Sequence, residues 1–292
     1  MATSTLSRAS RALRRASRVF RKETIVNPAL DFPCSQACTY DQFQSSIYLY
    51  WCKRMQELPR PHRKQWEFVY IAQVLATRGK LAPGRSGLGF GVGQEPLPAL
   101  FASYGCEVLA TDLEPEIAKQ EGWTDTDQHA AGTIALSNNG VCLPEEMERL
   151  VQFANVNMTN IPLRLRGFDF TWSACCLEHL GSIEAGLTFI EHSIATLKPG
   201  GIAVHTTELN CDSDTKTIDN AGTVLFRRSD FKILIKRLTE LGHNVAPLNF
   251  ELGTRELDRY VDVPPYTSDR HLKLKIGEYT STSFGIVITK KL

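Results

Sequence analysis

From Leu81 onward the chain alternates short unbroken apolar runs with longer stretches whose apolar residues recur every three or four positions. The runs at 106–111, 168–174, 202–207 and 282–289, with a shorter one at 153–158, predict strands. Between them Leu97–Tyr104, Leu143–Val151, Ser182–Leu197 and Arg228–Leu241 predict helices. Ile183, Leu187, Ile190, Ile194 and Leu197 form one stripe, and Phe231, Leu234, Ile235, Leu238 and Leu241 another. Such alternation predicts an α/β fold, a parallel sheet with helices on both faces. The N-terminal part reads differently. Residues 6–21 wind into a helix with Leu6, Ala9, Leu13, Ala16 and Phe20 on one face and arginines on the other. Residues 24–60 are an irregular connection holding Pro28, Pro33 and Pro59, with Pro61 just beyond it and a helix from Tyr40 to Glu57. A further helix over 62–79, with Trp66, Tyr70, Gln73, Val74 and Thr77 on one side, ends at Gly79. The chain thus divides into a basic amphipathic leader (1–24), a helical extension (25–79) and an α/β domain (80–292).

Charge separates the leader from the rest. Residues 1–22 carry Arg8, Arg11, Arg14, Arg15, Arg18, Arg21 and Lys22 and no acid, although the whole chain is near neutral, with 33 basic and 32 acidic residues. Setting those seven aside leaves 26 basic against 32 acidic residues, a body of charge −6 that argues against a duplex nucleic-acid partner. The leader reads as a partner-packed helix, as a helix on an anionic membrane surface or glycan-assembly partner, or as an organellar transit peptide. The chain is 42% hydrophobic and 22% charged, with no apolar stretch near the roughly 20 residues that cross a bilayer, so a cytoplasmic, at most membrane-peripheral protein is expected. Its eight cysteines, two of them adjacent at Cys175 and Cys176, suit a reduced compartment. Cys34 and Cys38 lack a second pair at zinc spacing.

The richest chemistry begins at Gly87-Leu88-Gly89-Phe90-Gly91-Val92-Gly93-Gln94-Glu95, followed about twenty residues later by Val108-Leu-Ala-Thr-Asp112. A Gly-rich turn lets backbone approach a nucleotide closely, and an acid at the next strand tip can accept both ribose hydroxyls. A nicotinamide dinucleotide would fit the same outline, but Glu95 and Pro96 open the following helix, and an acid there suits an α-amino group and repels a pyrophosphate. Phe168-Asp-Phe-Thr-Trp-Ser-Ala174 and Leu177-Glu178-His179 follow, then Leu197-Lys198-Pro199-Gly200-Gly201 leading into Ile202–Thr207. This ordered set resembles the class I S-adenosylmethionine-dependent methyltransferases. The resemblance implies a Rossmann-like fold, a mainly parallel seven-stranded sheet with an antiparallel last strand, and S-adenosyl-L-methionine as cofactor. By it, Gly87, Leu88, Gly89, Phe90, Gly91 and Gly93 line the methionine and ribose, and Asp112 with Leu113 holds the ribose. Asn157 and Met158 meet the adenine, Asn157 through its carbonyl oxygen, and Ser173 passes close to the reactive methyl.

Methyl transfer to a hydroxyl needs alignment and a base. Of the histidines, His179 follows a strand end directly and is the expected base, or else a loop-steadying residue, with Glu178 and Glu208 beside it. His205 lies inside a strand, as a core histidine or an acceptor contact. Some relatives of the class bind magnesium through Glu-x-x-Glu-His; here Cys175 replaces the first acid, so no metal is expected. Arg228, Tyr260, Tyr266 and His271 are candidate acceptor contacts, since aromatic faces and hydrogen-bonding side chains suit a sugar. From His62 to Leu292 the chain also resembles bacterial methyltransferases associated with surface-polysaccharide genes. The expected activity is O-methylation of a sugar hydroxyl in a bacterial glycan or its precursor. An RNA ribose 2′-O-methyltransferase and a non-catalytic binding module are the alternatives.

Overall fold

In a computed structural model of the protein, the description covers residues 27–116, 132, 136, 140–267 and 269–292. The leader over 1–24 lies outside the described residues. Among them, no helix is long and apolar enough to cross a membrane.

The first element is a strand, β1 (Ser35–Ala37), followed by α1 (Tyr40–Phe43) and α2 (Ser46–Arg54). The single helix expected over Tyr40–Glu57 is therefore broken, because the Ser45 hydroxyl accepts the Tyr48 N–H and starts a new helix. The helix α3 (Arg63–Thr77) then precedes β2 (Ser86–Phe90), α4 (Leu97–Ala102) and β3 (Glu107–Asp112). Next come α5 (Pro144–Leu150), β4 (Val151–Asn155), β5 (Phe168–Ala174) and α6 (Ile183–Ala195). The strand β6 (Leu197–Asn210) absorbs the Pro199-Gly200-Gly201 turn that the sequence placed before it. After α7 (Arg228–Glu240) come β7 (Asn244–Val245), β8 (Leu248–Asn249), α8 (Glu256–Arg259), β9 (Lys273–Ile276) and β10 (Tyr279–Thr289).

The sheet runs β4-β3-β2-β5-β6-β10-β1-β8. The strands β2 to β6 are parallel, and β10 is antiparallel to β6 from Ser281↔Asn210 to Thr289↔Ile202. This is the Rossmann-like arrangement with an antiparallel last strand that was expected, with ten strands among the described residues in place of seven. The reason lies along the outer edge of β10. Three short strands share it in succession: β9 pairs with Tyr279–Thr282, β1 with Phe284 and Gly285, and β7 with Ile288 and Thr289. A bare edge carrying Ile286, Val287 and Ile288 would invite pairing with another chain, and these segments cover it.

Each face of the sheet buries its own aromatic core. On one side Trp66 and Tyr70 of α3 and Phe101 of α4 pack with Phe170 and Trp172, the Phe101 and Trp172 rings meeting edge-on at 4.9 Å. On the other, Phe90, Phe189, Phe226, Phe231 and Phe284 gather, with Phe231 and Phe284 centred 4.6 Å apart. Tyr70 crosses β10 at Gly285, and its hydroxyl donates to the Cys34 carbonyl at 2.5 Å. A Cβ at Gly285 would overlap that fully buried ring. Gly285→Ala is therefore expected to lower unfolding free energy by about 3 kcal/mol, at the upper end for overpacking, as a drop in urea midpoint at constant slope. An unshifted midpoint would contradict this packing.

Strand order reverses at β2, with β3 and β4 on one side and β5 and β6 on the other. Crossovers leave in opposite directions there and open a crevice at the strands' carboxyl ends, where ligands bind in folds of this kind.

Candidate functional site

A cavity of about 670 Å³ opens at that crevice. Its floor is the turn between β2 and α4, where Gly91 and Gly93 adopt φ of 56° and 51°, left-handed values that side chains resist. A Cβ at Gly91 would also lie 3.0 Å from Cys176 Sγ. The turn is clamped to the tip of β3: Val92 N–H donates to the Thr111 carbonyl at 3.1 Å, and Gly93 N–H to Asp112 Oδ2 at 3.0 Å. Leu113 N–H donates to Asp112 Oδ1 at 2.8 Å. Asp112 thus pins the turn to the tip of β3 with its carboxylate at the cavity wall, and a carboxylate oxygen can accept more than one hydrogen bond.

Gly91, Gly93, Asp112, Leu113, Asn157 and Met158 all line the cavity. The first half of the glycine run does not. Leu88 and Phe90 are wholly buried in β2, and Gly87 and Gly89 are bare because the Phe170 and Trp172 rings lie against them. Those glycines serve strand packing. Asn157 lines the wall, but its carbonyl oxygen takes both the Thr159 N–H (2.9 Å) and the Thr159 hydroxyl (2.7 Å). Its remaining hydrogen-bonding capacity is the NH₂ group, opposite to the expected carbonyl contact.

Ser173 is also displaced from the expected role. Its hydroxyl is buried against His205 Nδ1 at 2.8 Å, and Ser193 meets His205 Nε2 at 2.9 Å. Burial pushes the His205 ring down to about 3, so it is a neutral core bridge and no acceptor contact. The wall starts one residue later, at Ala174, Cys175 and Cys176.

Opposite the glycine turn stand two side chains of α3, Lys64 and Phe68, one helical turn apart. Lys64 Nζ donates to the Ala174 carbonyl at 3.3 Å. Burial works against its charge, yet Cys175 and Glu67 outweigh this and hold it above the usual lysine range. Glu95, at the end of the turn, accepts the Trp172 indole N–H at 2.6 Å. Burial pushes its carboxyl up to about 8. Helical periodicity gave no reason to single out Lys64 and Phe68, because side chains facing a ligand and those facing a core both look sheltered.

His179 ends a single 3₁₀ turn, Leu177–His179, just beyond β5, and lines the cavity with its side chain 23% exposed. Its Nδ1 lies 2.9 Å from the Gly222 carbonyl and 3.2 Å from the Thr223 hydroxyl. A carbonyl can only accept, so Nδ1 carries the hydrogen and Nε2 is the basic nitrogen. Glu178 Oε1 lies 4.0 Å from Nε2. Glu178 itself is fully buried behind the wall, accepting from Cys175 Sγ at 2.6 Å and the Thr207 hydroxyl at 2.9 Å. It can bias His179 and cannot meet substrate.

Glu208 is likewise withdrawn, ion-paired to Arg63 at 2.5 Å and accepting from Ser281. Cys175, Glu178 and Glu208 bring potential ligand atoms within 4.8 Å of one another, the one such group among the described residues. The four remaining acceptor candidates stand off the cavity. Arg228 lies over Phe250, Tyr260 is partly exposed on the surface, and the Tyr266 hydroxyl donates to the Lys275 carbonyl. His271 stacks on His62 at 4.5 Å with its Nδ1 2.7 Å from Asp262. The Tyr266 and His271 polar atoms are thus spent on loop packing.

Residues 88–205 match the family model of a methyltransferase domain. No curated protein matches the chain. Among solved structures, a protein assigned as a sarcosine dimethylglycine methyltransferase from Galdieria sulphuraria is 17% identical, with TM-score 0.41 over 63% of this chain. The chain spans 60% of that protein's length. A methyltransferase from Aquifex aeolicus, described as S-adenosylmethionine-dependent, is 16% identical at TM-score 0.42, over 78% of this chain and 94% of its own. The magnesium protoporphyrin IX methyltransferase of Synechocystis PCC 6803, solved with S-adenosylhomocysteine, is 13% identical at TM-score 0.43, over 86% and 97%. Residues 88–205 are thus similar to a methyltransferase domain, and the strand order and the cavity at the switch point give that domain a place for a nucleotide-like ligand.

Proposed function

We propose that the chain transfers a methyl group to a hydroxyl oxygen of a small acceptor, a sugar unit of a glycan or of its precursor, with His179 as the general base. The observation that carries this reading is the fixed tautomer of His179, whose basic Nε2 belongs to a side chain lining the cavity beside Cys176. In this arrangement the ribose sits on Asp112, and the adenine lies against Leu113, Val156 and Met158. The methionine tail follows the Gly91–Glu95 turn, its ammonium at Glu95 and its carboxylate at Lys64. Ala174–Cys176 would then border the reactive methyl. The bound cofactor would supply an electrophilic methyl to the acceptor oxygen, its carbon–sulfur electron pair staying with S-adenosylhomocysteine. His179 Nε2 takes the hydroxyl proton, and the buried Glu178 carboxylate stabilises the imidazolium. The sugar assignment draws on the polar loop that holds His179 at Gly222 and Thr223, and on a cavity lined by a single aromatic carbocycle, Phe68, among the described residues.

The acceptor class is tested by incubating the protein with cofactor labelled in the methyl group and glycan extracts. Label in an O-methylated monosaccharide, stable to mild alkali, supports the reading. Label released as methanol by alkali, or found on an amine or on RNA, overturns it.

Glu95 gives a pH signature. In the free protein its carboxyl is protonated below about 8, and pairing with the ligand ammonium requires the ionised form. Affinity for S-adenosylhomocysteine should therefore rise with pH up to about 8, by roughly tenfold per unit at its steepest. Glu95→Gln should flatten that slope. Calorimetry in buffers of different ionisation enthalpy would register the proton released on binding; no release at pH 7 would remove Glu95 from the ammonium site.

A further inference from the structure

The partial magnesium motif in the sequence, Cys175-x-x-Glu178-His179, folds into a buried cage. Cys175, Glu178 and Glu208 are all buried and their ligand atoms converge within 4.8 Å. A cation already lies against it. Arg63, in the first turn of α3, places Nη2 2.5 Å from Glu208 Oε1. Its Nη1 is 3.0 Å from Cys175 Sγ, 3.2 Å from Glu67 Oε1 and 3.4 Å from the Ser283 hydroxyl. The cage oxygens are claimed elsewhere too. Ser281 donates to Glu208 Oε2, Thr207 to Glu178 Oε2, and the Cys175 thiol to Glu178 Oε1. A thiol that is donating its proton is not a metal ligand, and magnesium avoids sulfur in any case.

We propose that Arg63 is the resident cation of this cage, held in the place a divalent ion would take, so that the cage takes up no metal in the native protein. The planar guanidinium suits the task, since its fork spans a carboxylate, a thiol and a hydroxyl that a point charge would meet one at a time. Its anchoring also fixes the local backbone. Cys175 adopts φ of 52°, a left-handed conformation unusual for a side-chain-bearing residue, and it turns the chain from β5 into the His179 turn. Arg63 and Glu178 grip its sulfur from two sides. Arg63 thus braces Cys175 from behind the cavity wall. It does so without lining the cavity.

Removing the guanidinium leaves Glu67, Glu178 and Glu208 buried with Lys64 alone to balance them, a surplus of negative charge that would recruit an external cation. Cobalt(II) is a suitable probe, because a thiolate ligand gives it an intense near-ultraviolet charge-transfer band that carboxylates do not. Full-length wild-type protein, freed of metal by chelator, should show no such band on titration with cobalt chloride. It should bind S-adenosylhomocysteine equally well before and after chelation. Arg63→Ala should develop the band with a single equivalent of cobalt, gain thermal stability from the metal, and lose both in Arg63→Ala with Cys175→Ser. If Arg63→Ala fails to fold, Arg63→Gln keeps the side-chain bulk without the charge and is read in the same way, and failing both, the wild-type titration decides alone. A single-equivalent band in wild type that vanishes in Cys175→Ser would overturn the proposal, as would a folded, ligand-binding Arg63→Ala that takes up no cobalt. Neither reading measures methyl transfer, so the outcome stands apart from the role given to His179.

Discussion

Asp112→Ala is expected to weaken S-adenosylhomocysteine binding by about 100-fold or more, because hydrogen bonds to a charged group contribute about 1.5–3 kcal/mol each and two ribose hydroxyls lose theirs. The loss reaches further than the ribose. Asp112 also accepts from Gly93 and Leu113, so its removal leaves two backbone N–H groups without an acceptor and loosens the turn that carries the methionine tail. Asp112→Asn should fall between, since its amide keeps one acceptor oxygen and places a donor where the other stood. Titration calorimetry of the three proteins checks the order. Equal affinity in wild type and Asp112→Ala would mean that the ribose lies elsewhere.

Loss of the base should have a different signature. His179→Ala is expected to lower kcat by about 10²- to 10⁴-fold, the usual range for a positioned base, with S-adenosylhomocysteine affinity unchanged. His179 also holds the loop at Gly222 and Thr223, so the alanine variant alone does not separate chemistry from support. His179→Asn does. Its amide nitrogen stands near the position of Nδ1 and can still donate to the Gly222 carbonyl, while nothing replaces Nε2. Turnover as low in His179→Asn as in His179→Ala identifies proton transfer as the role. Recovery of turnover in His179→Asn would make His179 a support for the loop.

Much of the nucleotide half of the site was legible because it depends on local backbone chemistry. Positive φ at Gly91 and Gly93 demands glycine, and an acid at a strand tip is visible as Asp112. The same logic overreached at Gly87 and Gly89, where glycine answers a tertiary demand: the Phe170 and Trp172 rings come from a strand some eighty residues away. Alternation predicted the parallel sheet and the long final strand. It could not reveal β1, a three-residue strand whose pairing with Phe284 and Gly285 spans nearly the whole described chain. The acceptor candidates Tyr260, Tyr266 and His271 failed for a related reason. Polar aromatic loop residues suit a sugar and suit one another equally well: here Tyr266 bonds to Lys275, His271 bonds to Asp262 and stacks on His62, and Tyr260 lies on the surface away from the cavity. Arg63 and Glu67 escaped notice because an i,i+4 charge pair on a helix usually marks a solvated face. Here that face is turned into the sheet, with Glu67 fully buried.

The central claim is the seating of the cofactor over the tips of β2 and β3 with its sulfur toward His179. A crystal structure of the full chain with S-adenosylhomocysteine tests it most directly. The account predicts both ribose hydroxyls within hydrogen-bond distance of Asp112, the amino acid tail between Glu95 and Lys64, and the sulfur facing Cys175 and Cys176. A nucleoside bound elsewhere, or a tail directed away from the Gly91–Glu95 turn, would contradict it.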